Sequence, residues 1–234
     1  MTITATTSPP AQADRPASVR TARTTGLLYL GLAITGMLGT LVVRNQLFVA
    51  ADPAATLSNL TQHEYLARLG VALEMGIVIT QALAALWFYR LFRSVDTFAA
   101  SAIAAFGMIN ATAILVSAAL LATALEVSQD PAMAQSAAAS VQVLYILAAN
   151  VWIVSGVFFG LWLIPMGWLA RRSGWMPSLL GWTLTIGGIG YVASAFVSYL
   201  VPGAGATTDL LTMPATVGEL WMVGYLCLVG VRRA

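Results

Sequence analysis

The sequence predicts an all-α membrane fold, a bundle of six transmembrane helices with a short amphipathic helix between the first two, and three observations predict it. Charged residues make up 9% of the chain and hydrophobic residues 59%, whereas a soluble domain carries roughly a quarter charged residues. Six apolar runs follow one another with short breaks, each near the ~20 residues that cross ~30 Å of hydrocarbon at 1.5 Å per residue. The cations fall in alternate gaps between these runs.

Residues 1–25 are rich in Thr, Ala, Pro and Arg and contain no apolar run, so they read as a disordered cytoplasmic tail. The first apolar run exceeds a signal core in length. Arg44 and Gln46 interrupt the approach to any cleavage site, which sets it apart from a secretory signal. The membrane domain occupies residues 26–234, with spans at 26–43, 66–89, 98–124, 141–169, 178–200 and 214–231. Pro165, near the end of the long fourth span, supplies a cause for tilt or kink because it lacks a backbone donor and crowds the preceding turn. Pro214 reads as the first residue of the sixth span, where its missing N–H costs nothing. Between spans one and two, Asp52-Pro53 reads as an N-cap followed by Pro at the first helical position. The short amphipathic helix it opens lies on the outer membrane surface or covers an outward-facing cavity.

Orientation follows from the arginines, which supply all eleven cations. Arg15, Arg20, Arg23, Arg90, Arg93, Arg171, Arg172, Arg232 and Arg233 fall on one side, and cations of short loops are retained in the cytoplasm. With an even number of spans, both termini are then cytoplasmic. Asp52, Glu64, Glu126, Asp130 and Asp209 occupy the opposite side, and Trp87, Tyr89, Trp168 and Trp175 lie near the inner boundary. One Cys (Cys227) and one His (His63) leave no internal disulfide and too few soft ligands for a zinc site. No phosphate loop, nucleophile elbow or metalloprotease pair is present, so the sequence predicts no catalytic residue, cofactor or metal, and the lipid bilayer rather than nucleic acid as partner.

Ionisable groups inside spans are costly, ~2.5–3.5 kcal/mol at a helix centre, so each requires a partner or a task. Glu74 and Glu219 are placed about 12 Å and about 8 Å below the outer boundary by their positions in spans two and six. Arg44 closes span one and Arg68 opens span two on that same side. One reading makes these four a neutral structural knot clamping spans one, two and six. The other makes Glu74 and Glu219 the lining of an outward-facing pocket that takes up a proton or a cationic ligand. Glu64 is a rival partner for Arg68, at the favourable i, i+4 spacing.

Gln81 follows Glu74 by seven residues on the same helical face, and Asn110 and Asn150 fall near mid-membrane, where interhelical hydrogen bonds are their simplest role. Gly156 and Gly160 form a G-x-x-x-G suited to an internal contact or to a homo-oligomer, and Gly187, Gly188 and Gly190 allow close approach on span five. No repeat relates spans one to three with spans four to six.

Arg44, Arg68-Leu69-Gly70 with Glu74, Gly174-Trp175-Met176-Pro177 leading to Leu180-Gly181, and Pro214-Ala215 followed by Gly218-Glu219-Leu220 resemble an uncharacterised bacterial family of six-span integral membrane proteins, a domain-of-unknown-function family. The resemblance runs over about residues 20–232. It implies a multi-pass protein of the bacterial cytoplasmic (inner) membrane and brings no activity, cofactor or ligand with it. Trp162 stands where some members carry His, so the resemblance does not imply a mechanism requiring imidazole at that position. The sequence therefore reads as a non-enzymatic structural or accessory membrane protein, with a small-solute or proton-coupled transporter using its intramembrane carboxylates as the alternative.

Overall fold

The structure, a computed structural model, describes residues 19–231. Seven helices dominate it: α1 (Val19–Leu47), α2 (Pro53–Gln62), α3 (Glu64–Phe92), α4 (Thr97–Gln129), α5 (Ala137–Arg172), α6 (Ser178–Leu200) and α7 (Gly205–Leu228). All but α2 are long and apolar enough to cross a membrane. Helices consecutive in the chain pack together from α3 to α7, and α1 lies against both α3 and α7 to close the ring.

Two helix starts differ most from the sequence reading. Residues 1–18 of the expected tail lie outside the described residues, and α1 begins at Val19 rather than at residue 26. Ala22, Thr25 and Gly26 are buried at helical spacing, while Arg20 and Arg23 point away. A buried stripe of that kind sustains a helix whatever the charge on its other face. Likewise α7 starts at Gly205 instead of 214, so Pro214 sits inside the helix and not at its first position. The additional turns pack on α6: a Cβ at Gly190 would overlap the Leu211 carbonyl. Pro165 lies inside α5, as expected.

Glycines set two close contacts between α5 and α6. Gly160 and Gly167 of α5 meet Gly188 and Gly181 of α6 in antiparallel register, so tightly that an added Cβ on any of the four would strike the facing helix. Gly160 therefore serves the internal alternative for the G-x-x-x-G motif. Gly156 is looser: a Cβ there would make ordinary contact with Tyr191 at 3.7 Å. Small residues admit such backbone approach where lipid supplies no hydrophobic drive between helices.

Helix α2 is capped as expected, with Asp52 Oδ1 accepting from Ala55 N at 2.9 Å and Pro53 following. Its position is not that of a helix resting free on the membrane surface. Thr56 and Leu60 are buried, and α2 packs on α3, α4 and α5. Asn59 Nδ2 donates to the Leu47 carbonyl at 3.3 Å, and Gln142 Nε2 of α5 donates to the Ala50 carbonyl at 2.8 Å, fastening the connection to the bundle end. Leu60 joins Val43, Leu47, Ala67, Ala124 and Tyr145 in a small apolar cluster beneath it.

Candidate functional site

Helix α1 loses regular α geometry over Leu38–Arg44, a seven-residue π-helical stretch. Such wide turns are rare and collect at functional sites. Gly39, Thr40, Val43 and Arg44 from this stretch form one wall of a cavity of about 170 Å³. Opposite them stand Glu74 from α3, and Tyr145 and Trp152 from α5. The walls approach closely at Gly70, where a Cβ would come within 2.8 Å of Val43 Cγ1.

Glu74 is 6% exposed. Its Oε1 accepts from Ser117 Oγ at 3.1 Å and from Trp152 Nε1 at 3.0 Å, while Oε2 has no hydrogen-bond partner. Arg44 donates to the Tyr145 carbonyl at 3.3 Å, and its guanidinium lies 5.8 Å from the Phe48 ring centroid. Phe48 is in turn stacked on Tyr145 at 5.5 Å. Arg44 and Glu74 share the cavity and lie within electrostatic range, yet among the described residues no ion pair joins them. A buried carboxylate oxygen without a donor is costly, and this one belongs to a residue that lines the chamber.

A second cavity, of about 340 Å³, adjoins the first and shares Thr40, Ile77 and Trp152 with it. Glu219, Tyr29, Gln81, Asn110 and Tyr191 line it as well. Tyr29 donates its hydroxyl hydrogen to Glu219 Oε1. The Tyr29 ring meets Phe88 and Trp162 edge-on at 5.3 and 5.9 Å, and Phe159 packs against both Trp162 and Tyr191. Gln81 is fully buried and neither amide atom has a partner. Met37 of α1 and Leu220 of α7, each 52% exposed, border this chamber, so its wall reaches the outside of the bundle between those helices.

The four charges expected as one knot are thus dispersed. Arg44 and Glu74 meet in the first chamber, Glu219 lies in the second, and Arg68 pairs with exposed Glu64 at 2.6 Å. Two physical reasons account for it. Arg68 finds its i, i+4 neighbour without leaving the surface. Glu219 lines the same cavity as Gln81, seven residues along α3 from Glu74, and so does not meet Glu74.

Gln81 follows the face of Glu74 into the bundle, as its spacing predicts, and Asn110, 3% exposed, lines the second chamber. Asn150 makes the expected interhelical bond, accepting from the Tyr199 hydroxyl at 3.1 Å. Sequence reasoning missed Tyr29, Ser117, Tyr145, Trp152 and Tyr191. Tyr29, Trp152 and Tyr191 lie well inside their helices, away from the interfaces where such aromatics usually sit, and a buried hydroxyl or indole N–H requires an acceptor. That requirement was present in the chain, and the structure shows Glu219 meeting it for Tyr29 and Glu74 for Trp152.

No curated protein and no solved structure matches the chain. One family model does, over residues 24–230. By that match across nearly all of its length, this chain with two carboxylate chambers belongs to the family described as Domain of unknown function (DUF4386).

Proposed function

We propose that this six-span protein is a small-solute or proton-coupled transporter of the bacterial cytoplasmic membrane, in which Glu74 and Glu219 serve successive chambers of one path. One observation carries the reading: both carboxylates line cavities that share Trp152 in their walls, and no ion pair neutralises either one among the described residues. A structural role would favour charges closed off by partners, since an unpaired charge inside a membrane is costly. The clamp reading loses its support with Arg68, which spends its charge on Glu64 outside the bundle.

The arginine distribution supports cytoplasmic termini, which makes the α2 end periplasmic and the chamber of Glu74 the outer of the two. Arg172 over Trp168, at 4.8 Å from the ring centroid, fits the headgroup level of the opposite face.

The test is flux in liposomes reconstituted with purified protein. Wild type is expected to move protons or solute, and Glu74→Gln and Glu219→Gln to abolish the movement at normal folded yield. Wild-type liposomes no leakier than empty ones, together with lost yield in both variants, would return the carboxylates to a structural role.

A further inference from the structure

The two chambers differ in charge. The outer one contains Arg44 beside Glu74 and is formally neutral, whereas the lining of the inner one includes the carboxylate of Glu219 and no cationic side chain. The inner lining is also aromatic: Tyr29, Trp152, Phe159 and Tyr191 all contribute. A carboxylate among aromatic rings favours a cation of low hydration energy, because ring quadrupoles attract positive charge best where water is scarce. The volume of about 340 Å³ is at the lower end of ordinary small-molecule sites, roughly 300–1,000 Å³.

Gln81 is the second, independent sign of a ligand. It is fully buried, it lines this chamber, and both its amide nitrogen and its amide oxygen lack partners. Almost every buried polar group in a folded protein is satisfied, so a buried amide at the chamber wall with neither atom paired is a candidate contact for a guest. Its oxygen can accept from an N–H or O–H of a guest, and its nitrogen can donate to one.

We propose that the chamber containing Glu219 binds a small organic ammonium ion, with the carboxylate as counter-ion, the rings of Tyr29, Trp152, Phe159 and Tyr191 around the cationic head, and Gln81 as a polar contact. The four rings beside a single carboxylate favour an ammonium head over the more strongly hydrated Na⁺. The inference names a ligand class for the site proposed above and so rests on that reading.

The experiment uses the full chain in lipid nanodiscs, titrated calorimetrically with choline and with the uncharged isostere in which carbon replaces the ammonium nitrogen. Choline is expected to bind saturably and the isostere not at all. Glu219→Gln should weaken choline binding at least about tenfold, the scale of losing one partner of a buried charge pair. Tyr191→Leu should weaken it several-fold and Tyr191→Phe restore it, a pattern that follows the ring and not the hydroxyl. Gln81→Leu should weaken binding while raising the unfolding temperature, because it removes a buried polar group with no partner in the free protein; a merely structural glutamine would give a lower temperature. Arg68→Gln should change nothing. Equal binding of the isostere, absent choline binding, or unchanged affinity in well-folded Tyr191→Leu and Glu219→Gln would overturn the proposal. Absent choline binding with carboxylate-dependent proton flux intact would leave the transporter reading standing. Choline binding lost in Glu219→Gln, with no flux of any kind in wild type, would do the reverse.

Discussion

The hydroxyl of Tyr29 donates a hydrogen bond to Glu219 across 190 residues of sequence, joining α1 to α7 and closing the ring of helices at the depth of the inner chamber. Tyr29 is 1% exposed, and its hydroxyl is the protein donor to Glu219 Oε1. Tyr29→Phe keeps the ring among Phe88 and Trp162 and leaves one carboxylate oxygen without its donor. We expect a loss of about 1.5–3 kcal/mol, the scale of a hydrogen bond to a charged group, measured by thermal unfolding in nanodiscs.

Glu74 takes two donors on one oxygen, from Ser117 and Trp152. Trp152→Phe preserves most of the ring that lines both chambers and deletes the N–H. It should cost about 1–3 kcal/mol, as should Ser117→Ala. Since both act on Oε1, the double variant should depart from additivity, which a double-mutant cycle on unfolding temperature detects.

At the α5–α6 seam, Gly160→Leu forces a side chain into the backbone of Gly188 and the side chain of Val192. Overpacking of this kind costs typically ~1–3 kcal/mol and more where backbone must move, so the monodisperse fraction in detergent should collapse. Gly156→Ala, which gains only a contact with Tyr191, should leave that fraction intact.

Arg68→Gln breaks an exposed ion pair, and such pairs are weakened by solvent and by side-chain entropy. No measurable change in unfolding temperature is expected. Arg44→Gln should lower it, because the guanidinium is held by the Tyr145 carbonyl and the Phe48 ring at the wall of the outer chamber.

Topology has its own measurement. A reporter active only in the cytoplasm, fused after residue 234, should be active, and a cysteine introduced at the exposed position Thr61 of α2 should react with an impermeant thiol reagent from outside. Reaction from the inside alone would invert the bundle and exchange the outer and inner chambers.

Six spans, the cap of α2 by Asp52, and the polar face carrying Glu74 and Gln81 were determined by the sequence, because hydrocarbon thickness, capping and helical spacing are local rules that a linear chain displays. Tertiary structure alone decided which charges meet. A helix shows its spacing but not its neighbours, so the sequence could count Arg44, Arg68, Glu74 and Glu219 without assigning them to partners. The structure places Glu219 in a cavity with Tyr29 and Gln81 and apart from Glu74, which no helix spacing shows. The same holds for Tyr29 and Trp152. Their polar groups required acceptors from the outset, and only the closing of α1 on α7 and of α5 on α3 supplied them.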